Sequence, residues 1–199
     1  MIRDEALDVI ADVALKNGAA LFIGNGYNAR SLCAIRDRAQ FFYMLGSMGL
    51  GPTLAAGFSH CSGKPVIVVE GDGNALMGLS GFPVASNAAR GAFVHLVLDN
   101  GLYESTGGQC NLSFQVDFLQ VAQGAGYEAA YRAEDTDSLA MLLEYTLAET
   151  RPSFLHVPTG AKDGIIHPRV PFHPNQVAQR FREVLSAPLS IEHEGHVIL

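Results

Sequence analysis

Two apolar runs, Val66-Ile67-Val68-Val69 and Val94-His95-Leu96-Val97-Leu98, restrict the fold more than any other feature of this chain. A strand with one face in water alternates apolar and polar side chains, whereas a run apolar almost throughout needs cover on both faces. Helix-patterned segments over 4–16, 28–35, 51–60, 74–90, 117–124, 136–149 and 173–185 lie between strands expected over 20–24, 41–45, 66–70, 93–99, 129–132 and 153–157. Parallel neighbours need a long crossover, and a helix is the usual one. The expected class is α/β: a doubly wound, mostly parallel sheet with helices on both faces.

A chain of 199 residues, 48% hydrophobic and 17% charged, is long and apolar enough for one buried core. A single domain over 1–199 is expected, with 160–199 as a C-terminal tail and helix, and no repeat or internal linker interrupts it. The net charge of −7 and the lack of a basic run exclude a nucleic-acid backbone binder. Cys33, Cys61 and Cys110 are dispersed and odd in number, which fits reduced thiols and neither a disulfide framework nor a CxxC metal site. The acidic start Met1-Ile2-Arg3-Asp4-Glu5 does not resemble a signal peptide, and no apolar stretch reaches spanning length. A cytoplasmic protein without membrane partners is expected.

Gly71-Asp72-Gly73-Asn74 follows the first apolar run, and Asn100 ends the second, 28 positions after Asp72. Taken alone, Gly-Asp-Gly after a strand describes an ordinary turn, and Asn74 describes a helix cap. The spacing adds more. One helix and one strand fit between the two, the βαβ length that brings adjacent parallel strand ends together, and open sheets bind ligands beyond those ends. Glycines allow backbone N–H groups against phosphate oxygens, while Asp72 and Asn100 supply hard oxygens suited to Mg²⁺ shared with a diphosphate.

Other chemistries find little support. No two histidines have the i, i+4 spacing of a zinc site, and no nucleophile-elbow sequence is present. His95 reads as a buried strand histidine, whereas His167 and His173 fall in Pro-containing loops.

The GDG turn paired with a strand ending in Asn resembles the cofactor motif of thiamine diphosphate enzymes. Two further blocks, Phe41-Phe42-Tyr43-Met44-Leu45-Gly46-Ser47-Met48-Gly49 and Leu98-Asp99-Asn100-Gly101-Leu102-Tyr103-Glu104-Ser105-Thr106-Gly107-Gly108-Gln109, are similar to phosphonopyruvate and sulfopyruvate decarboxylases, and in particular to the pyrophosphate-binding half, or β subunit, of such enzymes. The resemblance implies the pyrophosphate-domain type of the thiamine diphosphate-binding fold. It implies thiamine diphosphate and Mg²⁺ as cofactors, with Asp72, Asn100 and the Leu102 carbonyl as metal ligands. Cofactor contacts would come from Gly46, Ser47, Met48, Gly71, Asp72, Gly73, Asn74, Asn100, Leu102 and Tyr103. Met48 would wedge under the bent cofactor, and the Gly46 carbonyl would accept from its amino group. On the residues alone, Gly46-Ser47-Met48-Gly49 is equally a strand-to-helix turn with Met48 filling the core. The family usually has Asn where this chain has Asp99, a position that is not a metal ligand.

The implied activity is decarboxylation of phosphonopyruvate or sulfopyruvate to the aldehyde and CO₂. Asn25, Asn28, Arg30 and Lys162 are the candidates for the anionic substrate, with Arg169 a similar one; each also reads as ordinary solvated polarity. The small-residue loop from Ser105 to Gly108 would close over cofactor and substrate, and on the residues alone is equally an ordinary flexible loop. No catalytic residue is expected in this chain, because the family's activating Glu belongs to a separate pyrimidine-binding domain that 199 residues cannot also contain. The implied partner is therefore a pyrimidine-binding α subunit, in a hetero-oligomer with paired β subunits. Alternatives are an acetolactate-synthase-like carboligase subunit, an oxidoreductase β subunit, which the lack of Cys-rich cluster motifs weakens, and a non-catalytic cofactor-binding scaffold.

Overall fold

A computed structural model of the chain describes residues 1–160 and 165–186. Eight helices are present among them: α1 (Arg3–Lys16), α2 (Tyr27–Arg36), α3 (Gly51–Ser62), α4 (Asp72–Met77), α5 (Phe82–Ala88), α6 (Phe118–Gly124), α7 (Thr136–Ala148) and α8 (Pro174–Ser186). The strands are β1 (Ala20–Ile23), β2 (Phe41–Tyr43), β3 (Val66–Gly71), β4 (Phe93–Asp99), β5 (Leu102–Tyr103), β6 (Gln109–Cys110), β7 (Ala129–Arg132) and β8 (Pro152–Pro158). Six of them form one parallel sheet in the order β2-β1-β3-β4-β8-β7.

The apolar runs become the central strands, and their alternate residues feed two separate cores. Leu21, Ile67, Val69, Leu96 and Leu155 face α1, α2 and α7, where Leu7, Ile10, Leu32, Leu139 and Leu143 meet them. Phe22, Val68, Phe93, Val97 and Phe154 face the other way, against Ala55 and Ala56 of α3, Phe82 and Ala85 of α5, and Phe118 and Ala122 of α6. Helix α8 closes the second core by placing Phe181 edge-on to Phe22, Phe42 and Phe58 at centroid distances of 5.1–5.3 Å.

Local signals agree with these limits. Asp117 accepts from Leu119 and Gln120 N–H groups at the start of α6, and Asp135 with Ser138 forms a capping box on α7. Pro52 enters α3 in its first turn, and Gly63 ends it with φ of 64°.

One expectation needs correction and another an addition. The helix read over 74–90 starts at Asp72 and breaks into α4, a 3₁₀ turn at Leu79–Gly81, and α5. At the break, Gly78 lies so close to Gly49 that a Cβ on it would stand 2.2 Å from the Gly49 carbonyl oxygen, and Pro83 favours a fresh helix start over continuation. The loop expected at Ser105 to Gly108 is present, but as the turn of an unexpected two-stranded antiparallel hairpin, with Leu102 opposite Cys110 and Tyr103 opposite Gln109. No helix among the described residues is long and apolar enough to cross a membrane.

Candidate active site

The chain runs from β1 through α2 to β2 on one side, then returns to place β3 on the other side of β1. The carboxyl ends of β1 and β3 therefore flank the crevice where winding reverses, the place at which open α/β sheets take ligands. Asn25 and Gly26 leave β1 there, Gly71 to Asn74 leave β3, and Asn100 leaves β4, whose Leu98 is in register with Gly71.

A cavity at this point is lined by Asn25, Asn28, Met48, Gly71, Asp72, Gly73, Asn74, Asn100, Leu102 and Tyr103, so ten of the residues singled out in the sequence converge on one opening. The remaining cofactor- and substrate-binding candidates do not share it. Gly46 and Ser47 line a neighbouring opening beyond β2, Arg30 and Arg169 line a second cavity, and Lys162 is outside the described residues. Arg3, Tyr27, Glu104, Ser105 and Thr159 also line the first cavity. No local motif marks Arg3 or Thr159, which arrive from the chain's start and from the end of β8.

Asp72 is 3% exposed. Its Oδ1 accepts from the Gly73 N–H at 2.8 Å and its Oδ2 from the Gly101 N–H at 2.7 Å, which ties the turn after β3 to the loop after β4. Asn100 Oδ1 accepts from the Leu102 N–H at 3.0 Å, and its amide donates to Glu104 Oε2 at 3.2 Å. Asn74 donates to Asn25 Oδ1 at 3.1 Å. That contact needs Gly24, where a Cβ would stand 2.7 Å from the Asn74 amide nitrogen. Gly73 is as constrained, since a Cβ there would meet the Tyr103 ring at 2.5 Å.

Behind Asp72 stands Asp99, whose Oδ2 is 2.9 Å from His156 Nε2 and whose Oδ1 accepts from Ser113 Oγ at 2.8 Å and from the Gly101 N–H at 3.1 Å. Burial raises the pKa of both carboxyls, but they separate. Hydrogen bonds with His156, Asp72 and Ser113 outweigh burial at Asp99 and hold it down at about 2. Asp72 is pushed up to about 6, by burial first and by its hydrogen bond with Asp99.

These residues fit a divalent cation held with phosphate. Asp72 and Asn100 present hard oxygens that keep lone pairs after the hydrogen bonds above, and burial leaves the Asp72 charge short of compensation. Among the described residues no group of three or more His, Cys, Asp or Glu could hold a metal. The donor set is thus one carboxylate with amide and carbonyl oxygens, which suits an ion that completes its shell with ligand phosphate and water. Gly71 lines the cavity without a side chain, which permits a close backbone approach, and Gly73 lets the Tyr103 ring and Met48 pack against the turn.

Residues 24–157 match the family model of the thiamine pyrophosphate enzyme, C-terminal TPP binding domain. The chain is 40% identical over 176 residues to phosphonopyruvate decarboxylase of Streptomyces hygroscopicus, covering 87% of this chain and 43% of that protein. It is 33% identical over 163 residues to sulfopyruvate decarboxylase subunit beta of Methanothermobacter thermautotrophicus, covering 81% of this chain and 85% of that one. Among solved structures, benzoylformate decarboxylase from Polynucleobacter necessarius has the same fold, with a TM-score of 0.61 and 19% identity over 78% of this chain and 32% of that one.

Proposed function

We propose that this chain, which belongs to the thiamine pyrophosphate enzymes as their C-terminal TPP-binding domain, is the pyrophosphate-binding subunit of a heteromeric decarboxylase acting on phosphonopyruvate or sulfopyruvate. The chain spans less than half of the phosphonopyruvate decarboxylase it matches but most of a sulfopyruvate decarboxylase β subunit, and the second match supports a partner chain.

One observation carries the reading. The 2.7 Å hydrogen bond from the Gly101 N–H to Asp72 draws the Gly-Asp-Gly turn and the Asn100 loop onto one cavity that Met48 also lines. Asp72, Asn100 and the Leu102 carbonyl would hold Mg²⁺, Gly71 to Asn74 the diphosphate, and Met48 the bend of the cofactor. When bound, thiamine diphosphate supplies the electron sink that lets the bond to the carboxylate break, with CO₂ leaving and a proton taking its place.

Two glutamates near the cavity are already engaged. Glu104 is held by Arg3 at 2.6 Å, and Glu70 is fully buried, 2.8 Å from His95 Nε2. Both facts favour an activating carboxylate from a pyrimidine-binding partner. Reconstitution tests the assignment: the chain alone is expected to release no CO₂ from either oxoacid, and activity to appear on adding the partner. Calorimetry of the assembled complex should show Asp72→Ala abolishing Mg²⁺-dependent cofactor binding. Unchanged cofactor affinity in Asp72→Ala would refute the metal site.

A further inference from the structure

A second cavity of about 400 Å³ adjoins the first and shares Asn25, Gly26 and Ser105 with it. Its other walls are Ala29 and Arg30 of α2, Met44 and Leu45 after β2, and Arg169 with Val170. Arg30 and Arg169 are 139 positions apart in sequence, and only the fold brings them to one opening.

Two arginines without a carboxylate partner meet at this one opening, whereas Arg38, Arg90 and Arg182, which also lack one among the described residues, line none of the cavities named above. Arg3, Arg36, Arg151 and Arg180 each take a carboxylate partner. Among the described residues neither Arg30 nor Arg169 does, although acidic residues outnumber basic ones by 20 to 13. Arg30 is half-buried and its guanidinium lies 5.0 Å from the centroid of the Tyr27 ring, which holds the planar fork in place. Tyr27 and Gly26 also line the first cavity. Gly26, the N-cap residue of helix α2, offers no side-chain cap, which leaves first-turn N–H groups unclaimed by any cap at the wall between the cavities. Met44 and Leu45 give the chamber an apolar side.

We propose that this second cavity is the subsite for a three-oxygen anion on a short carbon chain, the phosphonate or sulfonate end of the 2-oxoacid, held by Arg30 and Arg169. The inference rests on the decarboxylase reading above and names the recognition element of that site. A planar guanidinium presents two parallel N–H donors to two oxygens of such a group. The apolar wall suits the adjoining methylene. The shared boundary at Asn25, Gly26 and Ser105 lets the oxoacid end reach toward the cofactor cavity while its tail stays among the arginines. A plain methyl tail would leave both cations without a counter-charge, so the subsite selects against pyruvate.

Phosphonoacetate and sulfoacetate test the subsite without turnover. Calorimetry on the native complex purified through this chain, saturated with thiamine diphosphate and Mg²⁺, removes the cofactor's own diphosphate as an alternative occupant. Both probes are expected to bind, with propionate at least tenfold weaker. Arg30→Gln and Arg169→Gln should each weaken phosphonoacetate at least tenfold while cofactor affinity stays within twofold; Arg169 is exposed, so its variant carries no folding penalty. The same variants should raise KM for phosphonopyruvate or sulfopyruvate at least tenfold with kcat within threefold. Probe affinity unchanged in both variants overturns the subsite, even if decarboxylation proceeds. Probes that bind through the arginines to a complex that decarboxylates neither oxoacid would overturn the proposed activity and leave the subsite standing.

Discussion

Nη1 of Arg3, in the first turn of α1, lies 2.6 Å from Oε2 of Glu104, the oxygen to which Asn100 also donates. The start of the chain thereby braces the proposed metal ligand through one buried ion pair, whose side chains are 7% and 11% exposed. Arg3 Nε further donates to Ser31 Oγ at 3.0 Å. Removing one partner strands the other's charge, at a cost of roughly 3–5 kcal/mol. Arg3→Met is expected to lower the urea midpoint accordingly. Glu104→Gln keeps the shape but releases the Asn100 amide from a charged acceptor, and should weaken Mg²⁺ binding about tenfold in a metal titration of the cofactor-bound complex.

The Asp72 carboxyl makes a pH prediction for the metal-free chain. Its folded pKa, raised to about 6, exceeds the ordinary 3.8, so the fold binds that proton more tightly than the unfolded chain does. The stability this contributes is full below about pH 3.8 and is lost as pH rises through 6. Asp99, held down at about 2, has the opposite sign and keeps its contribution until pH falls below 3.8. In EDTA, wild type should lose stability relative to Asp72→Asn as pH rises from about 3.8 to about 6, with the difference levelling off above that. A difference that is flat across that window would contradict the burial of an ionised Asp72.

Gly78 is expected to accept no side chain. A Cβ there would stand 2.2 Å from the Gly49 carbonyl oxygen and 2.8 Å from its Cα, both backbone atoms that cannot rotate away. Gly49 has φ of +83° and follows Met48 directly. Gly78→Ala should destabilise the chain by about 1–3 kcal/mol as overpacking, and the shift of Gly49 should carry Met48 with it. Weaker cofactor binding in calorimetry, beyond what the lost stability explains, is the expected signature.

Glu70, His95 and Tyr127 form a chain within the second core: Glu70 Oε1 to His95 Nε2 and His95 Nδ1 to the Tyr127 hydroxyl, each 2.8 Å. Phe82 and Phe154 pack on the imidazole at 4.7 and 5.1 Å. Tyr127→Phe leaves His95 Nδ1 without its partner in an apolar setting and should cost about 1–3 kcal/mol in chemical denaturation. Because Glu70 immediately precedes Gly71, the variant also reports whether the turn after β3 depends on this buried support.

The parallel sheet was legible because apolar runs such as 66–69 and 94–98 tolerate no wet face, and the strands expected at 93–99 and 129–132 end where the structure ends them. The pairing of Asp72 with Asn100 was legible for a similar reason: a βαβ unit converts a sequence interval into adjacency at one sheet edge. Contacts between distant backbones were not. The helix read over 74–90 satisfies helical periodicity, but Gly78 abuts Gly49 from another loop, and local pattern carries no record of that approach. His95 was legible as buried, though its partners Glu70 and Tyr127 come from a neighbouring strand and a distant loop. Periodicity, spacing and glycine placement act along the chain, so residue order is enough to set the sheet, the winding and the strand-end edge where Asp72 and Asn100 meet. Charge pairing acts through space and depends on which side chains the packing leaves unpartnered. That Arg3 braces Glu104 and that Arg30 and Arg169 share one cavity follows from packing across the fold.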